Sequence, residues 1–132
     1  MADATRVVSE KTSADMRYLY NLNATAPGGS GKRATVPGYR VGGKTGTAEK
    51  VVHGRYASDV RFNAFLAAFP MDDPQYVVLS VIDEPKAEKP GMGATAGLNA
   101  APIVANIIRR SAPMLGVKPD FGHESGALLV SN

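Results

Sequence analysis

The chain of 132 residues contains no cysteine. Disulfides, thiolate zinc sites and thiol nucleophiles are therefore excluded, and the redox compartment is left open. Long apolar runs are also missing. The longest, residues 64–69, falls far short of the ~20 residues that a bilayer-spanning helix needs. The opening Met1-Ala2-Asp3-Ala4-Thr5-Arg6 lacks the apolar stretch of a secretion signal. The expectation is either a cytoplasmic protein or an internal piece of a longer chain given a start methionine. No internal repeat is visible. Charge is close to balanced, at +3 with a pI near 9.3. So small an excess reads as a solvated surface, and no nucleic-acid partner is expected. What remains is 44% hydrophobic and 20% charged, the composition of an ordinary globular chain with room for one domain and its core.

In chain order, Ser9 or Ser13 caps a helix over residues 10–23, where Met16, Leu19 and Tyr20 recur at helical spacing. Asn21 and Asn23 weaken its end. Pro27-Gly28-Gly29-Ser30-Gly31 is a flexible breaker, followed by Lys32-Arg33, read as solvated with contact to an anion as the alternative. From Tyr39 an extended chain is expected to place Tyr39, Val41, Gly43, Thr45 and Thr47 on one side. Arg40, Gly42, Lys44 and Gly46 then fall on the other, and the strand continues through Val51-Val52. His53-Gly54-Arg55 makes a turn, with His53 exposed. Residues 62–69, apolar on both faces apart from Asn63, form a central strand. Pro70 to Pro74 turns the chain, and the β-branched residues 76–82 form a third strand. Links this short predict an antiparallel meander rather than βαβ crossovers. After a loop over residues 84–96, Val104, Ile107, Ile108 and Leu115 mark a second helix. Asn99 caps it, Pro102 sits in its first turn, and Gly116 and Pro119 end it. The fold class is thus α+β: a three-stranded antiparallel meander with flanking N- and C-terminal helices. Residues 1–119 make the domain portion, and residues 120–132 are expected to be a flexible tail.

Two motifs compete for Lys44. Gly38 to Thr45 satisfies the letters of a phosphate-binding P-loop, and Asp83-Glu84 after an apolar strand imitates its magnesium-holding acid. The P-loop mechanism needs a buried strand before the loop and a helix after it. Residues 23–38 carry only Val36 as a large apolar residue, and Gly46 and Gly54 interrupt any helix after Thr45. A P-loop nucleotide-binding module therefore stands as the alternative, to be tested by ATP-dependent thermal stabilisation with magnesium.

The other motif is Lys44-Thr45-Gly46-Thr47, the lysine–hydroxyl–glycine triplet of penicillin-binding proteins and serine β-lactamases. The whole run from Gly38 to Lys50 resembles the division-type, class B penicillin-binding transpeptidases. So do residues 65–70, Asp73-Pro74-Gln75-Tyr76, Ile82-Asp83-Glu84-Pro85-Lys86, and the helix from Ala100-Ala101-Pro102 to Leu115-Gly116-Val117. The resemblance covers roughly residues 5–120 and implies the C-terminal part of a transpeptidase domain. It implies a peptidoglycan stem peptide or a β-lactam as ligand, paired along an exposed strand edge. By the same resemblance, Thr47 gives its backbone N–H to the oxyanion hole. Thr45 and Thr47 hold the substrate carboxylate, Gly46 leaves room for the acyl group, and Lys44 faces the proton-shuffling serine. No metal and no cofactor are implied. A parent of this family is anchored in the cytoplasmic membrane with this part in the periplasm. The match is closer to division than to elongation enzymes.

The family's nucleophile lies in Ser-x-x-Lys, and no serine here has lysine three positions on. Ser13-Ala14-Asp15 matches the second family motif as letters, but it lies on a helix and too near Lys44. The chain alone is therefore expected to be inactive and to need the upstream half of its own domain. The residue 76–82 strand would lose its neighbour and associate with another copy or a covering partner. A non-catalytic interaction domain with the penicillin-binding shape is the third reading. An upstream Ser-x-x-Lys would separate it from the first.

Overall fold

The computed structural model describes residues 5–87 and 89–122. Helix α1 (Glu10–Thr25) opens the fold, capped by Ser9, whose hydroxyl accepts from the Thr12 N–H at 3.1 Å. A short 3-10 turn (Lys32–Ala34) leads into β1 (Gly42–Val52), β2 (Arg55–Phe69) and β3 (Tyr76–Asp83). Helix α2 (Ala100–Met114) follows. The strands form one antiparallel sheet in the order β1-β2-β3, the α+β meander expected from the short links. The described part of the expected tail, residues 120–122, begins with the Asp120 N–H on the Gly38 carbonyl at 2.7 Å. Residues 123–132 lie outside the described residues.

Two boundaries differ from expectation for identifiable reasons. Strand β1 starts at Gly42 rather than Tyr39, because the Tyr39 N–H closes a tight turn on the Val36 carbonyl at 3.0 Å. Strand β2 starts at Arg55 rather than residue 62, because its polar first half pairs with the end of β1. The turn between them is His53-Gly54, both at positive φ, as a two-residue hairpin requires. Helix α1 forms with the expected periodicity, yet Met16 and Leu19 are exposed. Only Asn21 and Ala24, near its C-terminal end, are buried.

The core lies on one face of the sheet. Register places Asn63, Phe65, Ala67 and Phe69 of β2 on that face, opposite Ile82, Ser80, Val78 and Tyr76 of β3. Helix α2 covers it with Ala100, Ala101, Val104, Ala105, Ile108 and Ala112, all buried. Alanines on four of these six positions let the helix backbone come close to the sheet. Ile107 and Leu115 of the expected apolar stripe are instead about half-exposed. Each fully buried Phe, Val or Ile stabilises the fold by about 1.5–3 kcal/mol relative to an exposed one. The opposite face carries Phe62, Leu66, Val77, Leu79 and Val81, all exposed, and nothing among the described residues covers them.

Gly43 is required by this packing. A Cβ there would lie 2.5 Å from the Leu66 carbonyl oxygen and 2.6 Å from the Phe65 ring. A Cβ on Gly46 would meet only Ala64, at ordinary contact distances of 3.8–3.9 Å. Gly43→Ala is therefore expected to destabilise the protein by about 1–3 kcal/mol, as overpacking does. Gly46→Ala should leave the urea midpoint near wild type; equal midpoints for both variants would contradict this assignment.

At the far end of the sheet, the Lys50 ammonium lies 2.7 Å from Glu84 and 3.0 Å from Asp83. Its pKa is raised by hydrogen bonds to Glu84 and then Asp83, against a lowering by desolvation. A raised lysine pKa means stability that is complete below the ordinary lysine value and lost as pH rises through the raised one. Lys50→Met should remove that part of the alkaline decline, measured as the change in melting temperature between pH 9 and pH 11.

Candidate functional site

Strand β1 is an edge strand, and its outer row of main-chain groups is only partly occupied. Side chains and main-chain groups alternate along an antiparallel strand. The Gly43 carbonyl accepts from Asn23 Nδ2 at 2.7 Å, and the Thr45 carbonyl accepts from Lys44 Nζ at 2.7 Å. Both carbonyls therefore point away from β2. The register is unbroken from Gly42 to Glu49, so the Thr47 N–H lies on the same outer edge. Residues 44–47 run extended, and the chain after them stays in β1 as far as Val52 with no helix directly following. This geometry removes the P-loop alternative, because Lys44 stands inside a strand and not between a strand and a helix.

The side chains of Thr45 and Thr47 share the face that α2 covers, with Phe65 and Asn63 as their β2 partners. Beyond the reach of α2 they open into a cleft of about 460 Å³. Its walls include Ser30, Lys32, Arg33, Thr95 and Gly97. Two cations and four hydroxyls line it, with no acidic residue among the described lining groups, so it favours an anion. The Thr47 hydroxyl oxygen accepts from the Ala96 N–H at 3.3 Å. Thr45 Oγ1 lies 3.0 Å from Ser30 Oγ and 3.2 Å from Lys44 Nζ. Lys44 and Gly46 project from the opposite, uncovered face, beside Leu66 and Ala64. All four site residues expected from the sequence thus lie within one strand segment; Lys44 leaves the face opposite the hydroxyls, and its ammonium turns round the edge onto the Thr45 carbonyl and Oγ1.

Three residues that complete the site were not singled out in the sequence. Asn63, fully buried in β2, donates to the Ala94 carbonyl at 2.7 Å and to Asn99 Oδ1 at 3.1 Å. It fastens the segment that forms one cleft wall over the sheet. A lone amide in an otherwise apolar central strand was its sequence signal, since a buried polar group needs partners. Asn23 and Ser30 belong to the segments read as a weak helix end and a flexible breaker. In the fold Asn23 is a junction, with Oδ1 accepting from both Ser30 N–H and Ser30 Oγ at 3.1 Å. No sequence signal separated them from ordinary turn residues. Ser13-Ala14-Asp15 stays in the first turns of α1, with Asp15 engaged by Lys11, and contributes nothing to the cleft. His53 is exposed in its turn, as expected.

Comparison with known proteins agrees with this geometry. Residues 2–109 match the family model of the penicillin-binding protein transpeptidase domain. The chain is 47% identical over 114 residues to the stage V sporulation protein D of Bacillus subtilis, covering 86% of this chain and 17% of that protein. It is 44% identical over 124 residues to a probable peptidoglycan D,D-transpeptidase FtsI of Caulobacter vibrioides, covering 88% and 21% respectively. Among solved structures it matches the apo transpeptidase domain of Burkholderia pseudomallei penicillin-binding protein 3. There the TM-score is 0.74 at 33% identity, over 89% of this chain and 34% of that one. Mycobacterium tuberculosis penicillin-binding protein 3 complexed with ampicillin matches at a TM-score of 0.69 and 30% identity, over 87% of this chain and 26% of that one. The chain thus spans about a fifth of the curated relatives and about a third of the solved domain. An antiparallel edge strand carrying Lys-Thr-Gly-Thr and matches of this extent lead to one conclusion: the chain belongs to the penicillin-binding protein transpeptidase family.

Proposed function

We propose that β1 is the substrate-binding wall of a peptidoglycan D,D-transpeptidase active in cell division, and that its acylating serine comes from residues outside these 132. The observation that carries the reading is the outer edge of β1, where a main-chain row facing away from β2, and only partly taken by side chains, adjoins a cationic, hydroxyl-lined cleft. An extended stem peptide ending in D-alanyl-D-alanine docks as an added strand along that edge. Its terminal carboxylate takes hydrogen bonds from the Thr45 and Thr47 hydroxyls. The serine oxygen attacks the penultimate carbonyl carbon, and the tetrahedral oxyanion accepts the Thr47 N–H, a donor worth about 3 kcal/mol in the transition state. The C–N bond then breaks and D-alanine leaves with a proton. An amine of a second stem peptide takes the acyl group and releases the serine. Lys44 leaves the opposite face and brings its ammonium round the edge to Thr45, so its charge stands at the rim, where it supports proton transfer with the helical half of the site. Gly46 is not demanded by the packing of this chain. Its purpose is the approach of the acyl group. A β-lactam occupies the same place as the peptide.

The exposed Phe62, Leu66, Val77, Leu79 and Val81 face and the outer edge of β3 are covered, on this reading, by the upstream half of the same domain. Among the described residues no helix is long and apolar enough to cross a membrane. Anchoring in the cytoplasmic membrane, with this part in the periplasm, falls to the rest of the parent.

A fluorescent penicillin tests the assignment. The domain completed with its upstream residues should be labelled covalently one to one, and Gly46→Val should abolish labelling with the melting temperature unchanged. The 132-residue chain alone should take no label, and stoichiometric labelling of it would refute the proposal. The isolated chain should also self-associate through β3. Sedimentation that finds only monomer at high concentration counts against an open edge.

A further inference from the structure

We propose that Asn23 and Ser30 are positioning residues that aim the Thr45 hydroxyl hydrogen at the carboxylate of the ligand. The proposal rests on the carboxylate-binding reading of the cleft.

Protons and lone pairs around Thr45 have to balance. Asn23 is oriented without ambiguity. Its Nδ2 donates to the Gly43 carbonyl at 2.7 Å, and its Oδ1 accepts the Ser30 N–H at 3.1 Å. Flipping the amide would set oxygen against oxygen and N–H against N–H. The Gly31 N–H also bonds to the Asn23 main-chain carbonyl at 3.0 Å, so the loop is tied twice to the end of α1. Gly97 closes it from the other side, since a Cβ there would lie 2.6 Å from the Ser30 carbonyl oxygen. Ser30 Oγ is therefore held in place while its hydrogen can still turn.

That hydrogen has two acceptors at nearly equal reach, Asn23 Oδ1 at 3.1 Å and Thr45 Oγ1 at 3.0 Å. A threonine hydroxyl carries one hydrogen and two lone pairs. When Ser30 donates to Asn23, Thr45 donates to Ser30 and shows the cleft a lone pair, which repels an anion. When Ser30 donates to Thr45, Thr45 Oγ1 accepts from both Ser30 and Lys44 Nζ. Its lone pairs are then filled, and its hydrogen points into the cleft beside that of Thr47. Among the described residues no acceptor takes the Thr47 hydrogen, and its oxygen already accepts the Ala96 N–H. An anionic ligand selects the second arrangement, in which two O–H donors converge on one carboxylate. Asn23 keeps Ser30 in place in both arrangements because the Ser30 N–H bond persists.

The test compares benzylpenicillin with its methyl ester, which cannot present a carboxylate, as acylating agents of the completed domain. Ser30→Ala and Asn23→Ala should each slow acylation by the free acid roughly tenfold, the worth of one hydrogen bond to a charged group. Acylation by the ester should be unchanged, and Ser30→Thr should restore the free-acid rate. Ser30 lies at the protein surface, so Ser30→Ala keeps the test sharp even if Asn23→Ala unfolds α1 from β1. If Ser30→Ala slows acid and ester alike, or slows neither, the positioning role is wrong while the transpeptidase reading stands. If the wild-type domain is not acylated at all, the reading beneath it fails and the relay falls with it.

Discussion

One carboxamide ties together the helix, the loop and the edge strand of the site. Asn23 reaches from the end of α1 to the Gly43 carbonyl, twenty positions along the chain, and to Ser30 in the glycine loop. An edge strand with a bare row of main-chain groups invites any passing strand to pair with it. Here one carbonyl of that row is taken by Asn23 and the next by the neighbouring lysine, and the Thr47 N–H lies beyond both. The helix, the loop and the strand meet at this amide. The cleft is shaped by its two hydrogen-bonding ends, each with no substitute among apolar side chains.

The glycines of the Lys-Thr-Gly stretch answer to two different demands. Gly42 and Gly43 are small because the fold leaves no room: a Cβ on Gly42 would lie 2.7 Å from the Met71 sulfur, and one on Gly43 would strike β2. Gly46 has room for a side chain, so packing within this chain does not explain its smallness. The reason belongs with whatever approaches the strand from outside. This division separates glycines that the packing of the sheet requires from one that it does not.

The two faces of the sheet divide the work similarly. The face under α2 is closed by alanines, Val104 and Ile108, and it carries Thr45 and Thr47 at its open end. The other face carries Lys44, Gly46 and a continuous apolar surface. Membership of the transpeptidase family, with about a third of a solved domain spanned, gives that surface its meaning. Strand alternation starts the lysine and the hydroxyls from opposite faces, and only the length of the Lys44 side chain brings its ammonium round the edge to Thr45.

The sequence by itself determined the meander, the two helices, the cap at Asn99, a choice of Ser9 or Ser13 for the other cap, and the placement of Lys44, Thr45, Gly46 and Thr47 on one extended segment. These come from local rules: helical spacing, β-branched runs, short turns and the alternation of a strand. It also carried the family resemblance, because Lys-Thr-Gly-Thr and its flanks are contiguous. Only the tertiary structure decided that β1 begins at Gly42, that the Met16 and Leu19 side of α1 is uncovered, and that alanines supply much of the core of α2. It alone turned Asn23, Ser30 and Asn63 from punctuation into partners. Their hydrogen bonds join residues 7 to 36 positions apart, and no local pattern encodes which distant carbonyl or hydroxyl a buried amide will meet.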